Sequence, residues 1–181
     1  MRKKTFSILI IAVIIAGTYS VISKNSYRSI NANASSAKLS FYAESLDELI
    51  GASQYIIIAE VSGRQKDYNH MGVKFVNTEI TIEKVLKGDS LSENQQITLL
   101  QTAIEEDPIV KRNKKVLLFI DKYEGPVTED AYVCQGLYQG HYILDEKKIL
   151  PTLNFGSELN KEIENLDGVE DLFNRINKLK I

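Results

Sequence analysis

The chain has 181 residues with 22 basic and 24 acidic side chains, room for one domain and an appendage. Residues 1–38 hold six basic and no acidic residues, whereas residues 39–181 hold 16 basic against 24 acidic, so the body carries a net charge of −8. A body of that sign repels phosphate backbones, which argues against nucleic acid as a partner. The single cysteine, Cys134, excludes an internal disulfide. Beside Tyr132 and Val133 it reads as a small buried hydrophobe rather than a reactive thiol.

Arg2, Lys3 and Lys4 precede an uncharged apolar run over residues 6–22, a basic n-region followed by a hydrophobic segment. Its length lies between that of a signal peptide and a full membrane span, so residues 1–24 read as a signal peptide or a signal anchor. Either reading exports the body, since the positive-inside rule keeps the basic end in the cytoplasm. If uncleaved, residues 6–22 hold the protein in the cell membrane as a single pass; if cleaved, the body is secreted. Residues 25–38, rich in Ser, Asn and Ala, read as a flexible tether, and residues 39–181 as one extracytoplasmic domain. An exported body without cysteine pairs points to a bacterial envelope protein.

Within the body, Ser45 followed three residues later by Glu48 fits a capping box and predicts a short helix through Leu46, Leu49 and Ile50. The continuous apolar run Tyr55-Ile56-Ile57-Ile58-Ala59-Glu60-Val61 predicts a strand buried on both faces near its start. Residues 64–72 read as a polar hairpin connection. Over residues 73–88 the apolar side chains Val76, Ile80, Ile82 and Leu86 share one parity, and Asn77, Glu79, Thr81 and Glu83 the other, predicting a long strand with one wet face. Gln96 to Leu100 and Lys115 to Ile120 predict two more strands, the second central because both its faces are apolar. Ala131 to Cys134 follows the Gly125-Pro126 turn, and His141 to Leu144 with Lys148 to Leu150 predicts a terminal hairpin. Leu159, Ile163 and Leu166, then Val169, Leu172, Phe173, Ile176 and Leu179, form a helical stripe interrupted at Asp167-Gly168.

This succession predicts a mainly β fold: a small antiparallel OB-like barrel with a short N-terminal helix, and a C-terminal amphipathic helical segment covering an open end. One hydrophobic helix is expected before it, over the apolar run. The absence of an alternating β-α-β pattern disfavours a parallel nucleotide-binding sheet.

The run Ala52-Ser53-Gln54-Tyr55-Ile56-Ile57-Ile58-Ala59-Glu60-Val61, the long strand ending Glu83-Lys84-Val85-Leu86-Lys87-Gly88, and Lys115-Val116-Leu117-Leu118-Phe119-Ile120 together resemble the netrin-type OB module. That module occurs in tissue inhibitors of metalloproteinases and netrin C-terminal domains, and many exported proteins of Gram-positive bacteria are similar. The resemblance spans residues 45–150 and implies an OB-like barrel with an interaction role. It implies no mechanism, because the family's inhibitory N-terminal cysteine has no counterpart before Cys134.

No HExxH, paired cysteine or His-x-His motif marks a metal site, and no Gly-x-Ser-x-Gly elbow or glycine-rich phosphate loop marks a nucleophile or cofactor site. His70 and His141 read as surface or packed histidines. Glu105, Glu106 and Asp107 are weak candidates for a hard cation and read more simply as a solvated acidic loop. The candidate recognition surface is Tyr132, Tyr138, Gln139, His141 and Tyr142, where tyrosines beside Gly136 and Gly140 present flat rings. The sequence therefore predicts a non-catalytic binding module without cofactor, whose partner is a protein or an envelope component. Two competitors are a protease-inhibitor-like protein acting through residues 105–113 and an accessory envelope hydrolase using His70 or His141.

Overall fold

The computed structural model describes residues 41–154 and 156–179. The expected signal segment and tether lie outside the described residues. Among the described residues, no helix is long and apolar enough to cross a membrane.

The fold is mainly β. Helix α1 (Leu46–Ala52) leads into β1 (Tyr55–His70), β2 (Val73–Lys87), β3 (Gln96–Thr102), β4 (Lys115–Lys122) and β5 (Ala131–Cys134). A 3-10 turn (Leu137–Gly140), β6 (His141–Asp145), β7 (Lys148–Pro151), α2 (Glu158–Glu164) and α3 (Val169–Leu179) complete it. The strands form one sheet in the order β1-β2-β3-β5-β4-β6-β7, and β1 pairs with β4 as well. Five strands therefore close into a ring, with β6 and β7 continuing outward from β4. All strand pairs are antiparallel except β3 with β5, which is parallel.

Alternation explains how one apolar run serves two cores. Ile57, Ala59 and Val61 of β1 join Ile80, Ile82, Ile97, Leu99, Val116, Leu118, Ile120 and Tyr132 in a cluster fed by every strand of the ring. The opposite parity, Ile56 and Ile58 of β1 with Leu117 and Phe119 of β4, meets Leu46, Leu49, Ile50, Leu159, Ile163, Leu172 and Ile176 from the helices. Thus β1 and β4 are buried on both faces, as their unbroken apolar runs predict. The C-terminal helices cover that second face of β1 and β4, instead of capping an open end.

The helix boundaries follow their caps. Ser45 Oγ accepts from Glu48 N–H at 3.2 Å, and the Glu48 carboxylate accepts from Glu44 N–H at 2.7 Å, one residue earlier than a reciprocal box requires. At the other end of α1, Lys87 Nζ donates to Ile50 O at 2.6 Å and Ser53 O at 2.7 Å, placing a cation on the bare carbonyls. Gly168 (φ +84°) separates α2 from α3; a Cβ there would lie 2.9 Å from Lys147 O.

One expectation changes. Residues 64–70 are not an irregular connection: β1 runs on to His70 and pairs with β2 down to His70 opposite Val73. The turn is only Met71-Gly72, with φ of +50° and +82°, the two-residue geometry that matches strand twist. This stretch is nearly all exposed, so no alternation betrays it.

Candidate binding cleft

The β3–β5 seam is short. Only Thr98 opposite Ala131 and Leu99 opposite Tyr132 pair across it, while β3 starts two residues earlier at Gln96. The uncovered beginning of β3 opens a cleft of about 380 Å³ lined by Glu79 of β2, Gln95, Gln96, Ile97 and Thr98, and Lys122, Asp130 and Tyr132. The antiparallel register sets Glu79 opposite Thr98 and Lys122 opposite Tyr132, so residues distant in sequence share one wall.

Lys122 is the cleft's fixed charge. Its Nζ donates to Asp130 Oδ1 at 2.8 Å and lies 4.7 Å from the centre of the Tyr132 ring. The hydrogen bond to Asp130 is the main reason the ammonium is held above its ordinary range, and the same bond holds the Asp130 carboxyl below its own. Tyr132 in turn meets the Tyr55 ring edge-on at 5.7 Å, and the Tyr55 hydroxyl shares a 2.6 Å hydrogen bond with Ser90. A chain of contacts thus braces the ammonium. With carboxylates, amides, a hydroxyl and one ammonium, the walls are equipped to hold a polar ligand by hydrogen bonds.

The residues expected to form a recognition surface are placed differently. Tyr132 contributes to the cleft but is only 7% exposed; Gln139, His141 and Tyr142 are buried, and Tyr138 is half-buried. They do not form a flat exposed patch, because the tyrosines pack inward: Tyr142 meets Phe119 edge-on at 5.9 Å in the core beneath the helices. Gln139 is a clamp, its side-chain amide donating to Ala43 O and accepting from Ala43 N–H, each at 2.9 Å. Burial, with the neighbouring Tyr42, pushes the Tyr138 phenol up to about 12.

Burial also pulls His141 down to about 4, leaving a neutral imidazole whose Nδ1 has no hydrogen-bond partner among the described residues. His70 ends β1 at the hairpin turn. Neither histidine lines the cleft. Glu105 is exposed and Asp107 buried, and among the described residues no group of three His, Cys, Asp or Glu side chains is placed to hold a metal. Asp107 instead accepts from Thr102 N–H at 2.8 Å and Gln101 Nε2 at 3.2 Å, while burial pushes it up to about 6. Burial, then the charge of Asp107, raises the Cys134 thiol well above its usual range, as an inert packed cysteine requires.

The sequence pointed to Tyr132 but not to Lys122 and Asp130, which the antiparallel β4–β5 pair joins, or to Thr98, which the parallel β3–β5 pair sets beside them. No protein-family model matches the chain, and no curated protein matches it.

Proposed function

We propose that this chain is a non-catalytic binding module of the bacterial cell envelope, working outside the cytoplasm on an OB-like barrel of netrin type. The ring of five strands with one long-range return agrees with a five-stranded Greek-key barrel. The observation that carries the binding role is the polar cleft across β2, β3 and β5, whose charges are braced but whose space is open. Its ligand is a protein or envelope component offering hydrogen-bonding groups. A hydrolase reading would need a histidine and a carboxylate sharing a concave site, and neither histidine lies in the cleft.

The test is capture from envelope extracts of the source organism with the full tagged chain, comparing it with Thr98→Arg, which fills the cleft from β3. A component retained by the unaltered chain and lost with Thr98→Arg is the expected result. Equal retention by both removes the cleft from the reading, and turnover of an envelope substrate by the purified chain overturns the non-catalytic assignment. The exported topology is checked separately, with a reporter enzyme active only outside the cytoplasm fused after Ile181.

A further inference from the structure

The body is acidic as a whole, yet one edge of its sheet is basic. Between Val61, opposite Ile80, and Gln65, opposite Thr78, three residues of β1 face a single residue of β2, forming a wide bulge. The loop between β3 and β4 is fastened along that bulge. Val61 N–H donates to Lys114 O at 3.0 Å, Asn113 N–H donates to Val61 O at 3.1 Å, and Gln65 Nε2 donates to Val110 O at 2.9 Å. Arg112 lies across Gly63, its Nε 3.1 Å from where a Cβ would stand. A larger residue at 63 would push the guanidinium away.

These contacts gather Arg64 and Lys66 of β1 with Lys111, Arg112 and Lys114 of the loop and Lys115 at the start of β4, all exposed. Glu79 pairs with Arg64 at 3.7 Å, Glu83 pairs with Lys115 at 2.6 Å, and Glu60 stands opposite Lys115 in the β1–β4 register. Lys66, Lys111, Arg112 and Lys114 have no ion pair among the described residues. The same hairpin carries at its apex Met71, 91% exposed on a left-handed backbone that favours glycine or asparagine. Water gains nothing from that thioether, whereas a lipid interface does.

We propose that this edge docks on an anionic lipid bilayer, the cations meeting headgroups and Met71 entering the interface. Charge complementarity selects an anionic partner, and the exposed apolar apex on the same strand pair selects a bilayer over a soluble polyanion. The edge is separate from the cleft and shares with it Glu79, on the rim.

The chain contains no tryptophan, so Met71→Trp gives a single reporter in the full chain. The protein is combined with vesicles of phosphatidylcholine alone or with phosphatidylglycerol added. Residues 1–38 carry six basic residues and favour anionic vesicles themselves, so the edge is isolated by altering Lys111 and Lys114 with residues 1–38 unchanged, and an unchanged shift in that variant also overturns the proposal. The expected result is a blue-shifted emission quenched by brominated lipid in anionic vesicles only. It should fall at least about tenfold in apparent affinity on Lys111→Ala with Lys114→Ala, and be lost in high salt. Water-like emission in both vesicles, or an equal shift in both, overturns the proposal. So does a shift produced in neutral vesicles by added acidic polypeptide or DNA, which would make the partner a soluble polyanion. His70→Trp gives the same readout if position 71 does not accept the larger ring.

Discussion

The two halves of β1 live under different rules. Residues 55–61 lie between β2 and β4, hydrogen-bonded on both sides and, apart from half-buried Tyr55 and exposed Glu60, buried on both faces. Residues 62–70 pair only with β2 in the sheet and are exposed, apart from Gly63 and a half-buried His70. The bulge at residues 62–64 marks the change. The first half is specified by apolar burial; the second is held by cross-strand hydrogen bonds and guarded by charges that discourage another strand from adding to the edge. One continuous strand can therefore serve as core over one half and as surface over the other.

The largest expected effect separates the halves outright. Ile57→Ala removes a side chain that is fully buried within the ring and should cost about 2–5 kcal/mol, read from the denaturant midpoint. A cost below about 1 kcal/mol would mean that the ring is loosely packed.

Acidity should act on the two halves in opposite directions. His141 sits on β6 against Leu118 of β4, on the core side, with its proton affinity pulled down to about 4 from 6.5. The unfolded chain binds that proton first, so the contribution is present above pH 6.5 and is lost as pH falls through 4. Asp107 anchors the loop beside the exposed half, with its pKa pushed up from 3.8 to about 6. Its contribution is fully present below pH 3.8 and is lost as pH rises through 6. Between pH 4 and 6 the two offset one another. Asp107→Asn should leave the histidine unopposed, so that stability climbs across that window by about 3 kcal/mol more than in the unaltered protein. His141→Leu should tilt the profile the other way. Chemical denaturation at four or five pH values decides it, and identical slopes in all three proteins would refute both assignments.

Gln139→Ala comes next in size. It strips the backbone N–H and C=O of Ala43 of their partners and should cost about 1–3 kcal/mol, with faster amide exchange at Ala43 and none at the hairpin tip. The smallest effect belongs to the exposed half. Lys74→Ala breaks a 2.6 Å pair with Asp67 between two exposed side chains and should change stability by less than about 0.5 kcal/mol.

What could be read in the sequence follows the same division. Period-two alternation located β2, and unbroken apolar runs located β1 and β4, because burial writes itself into residue type. The Ser45 cap and the α2–α3 stripe were legible for the same reason. Residues 64–70 were not, since an edge strand bathed in water has no reason to alternate. The cleft was hidden further still: Glu79, Thr98, Lys122 and Asp130 are ordinary surface residues until the β4–β5 pair and the short parallel β3–β5 pair bring them together. Tyr138, Gln139, His141 and Tyr142 misled because tyrosine and histidine beside glycine suit a recognition patch and a packed interior equally well. The packing of Tyr142 beneath the helices and the bonding of Gln139 to Ala43 set them inward.

The clamp between Gln139 and Ala43 also orders events in time. It joins residues 96 apart, and the ring itself cannot shut until β4 reaches back to β1. Contacts of such long sequence separation form late, after the entropy of closing the loop has been met. A chain stopped short of residue 139 leaves Ala43 with a bare amide and carbonyl in an apolar setting. The opening of the domain is thus secured in part by a residue 96 positions further on, and a chain stopped before it holds its first helix less firmly than the finished one.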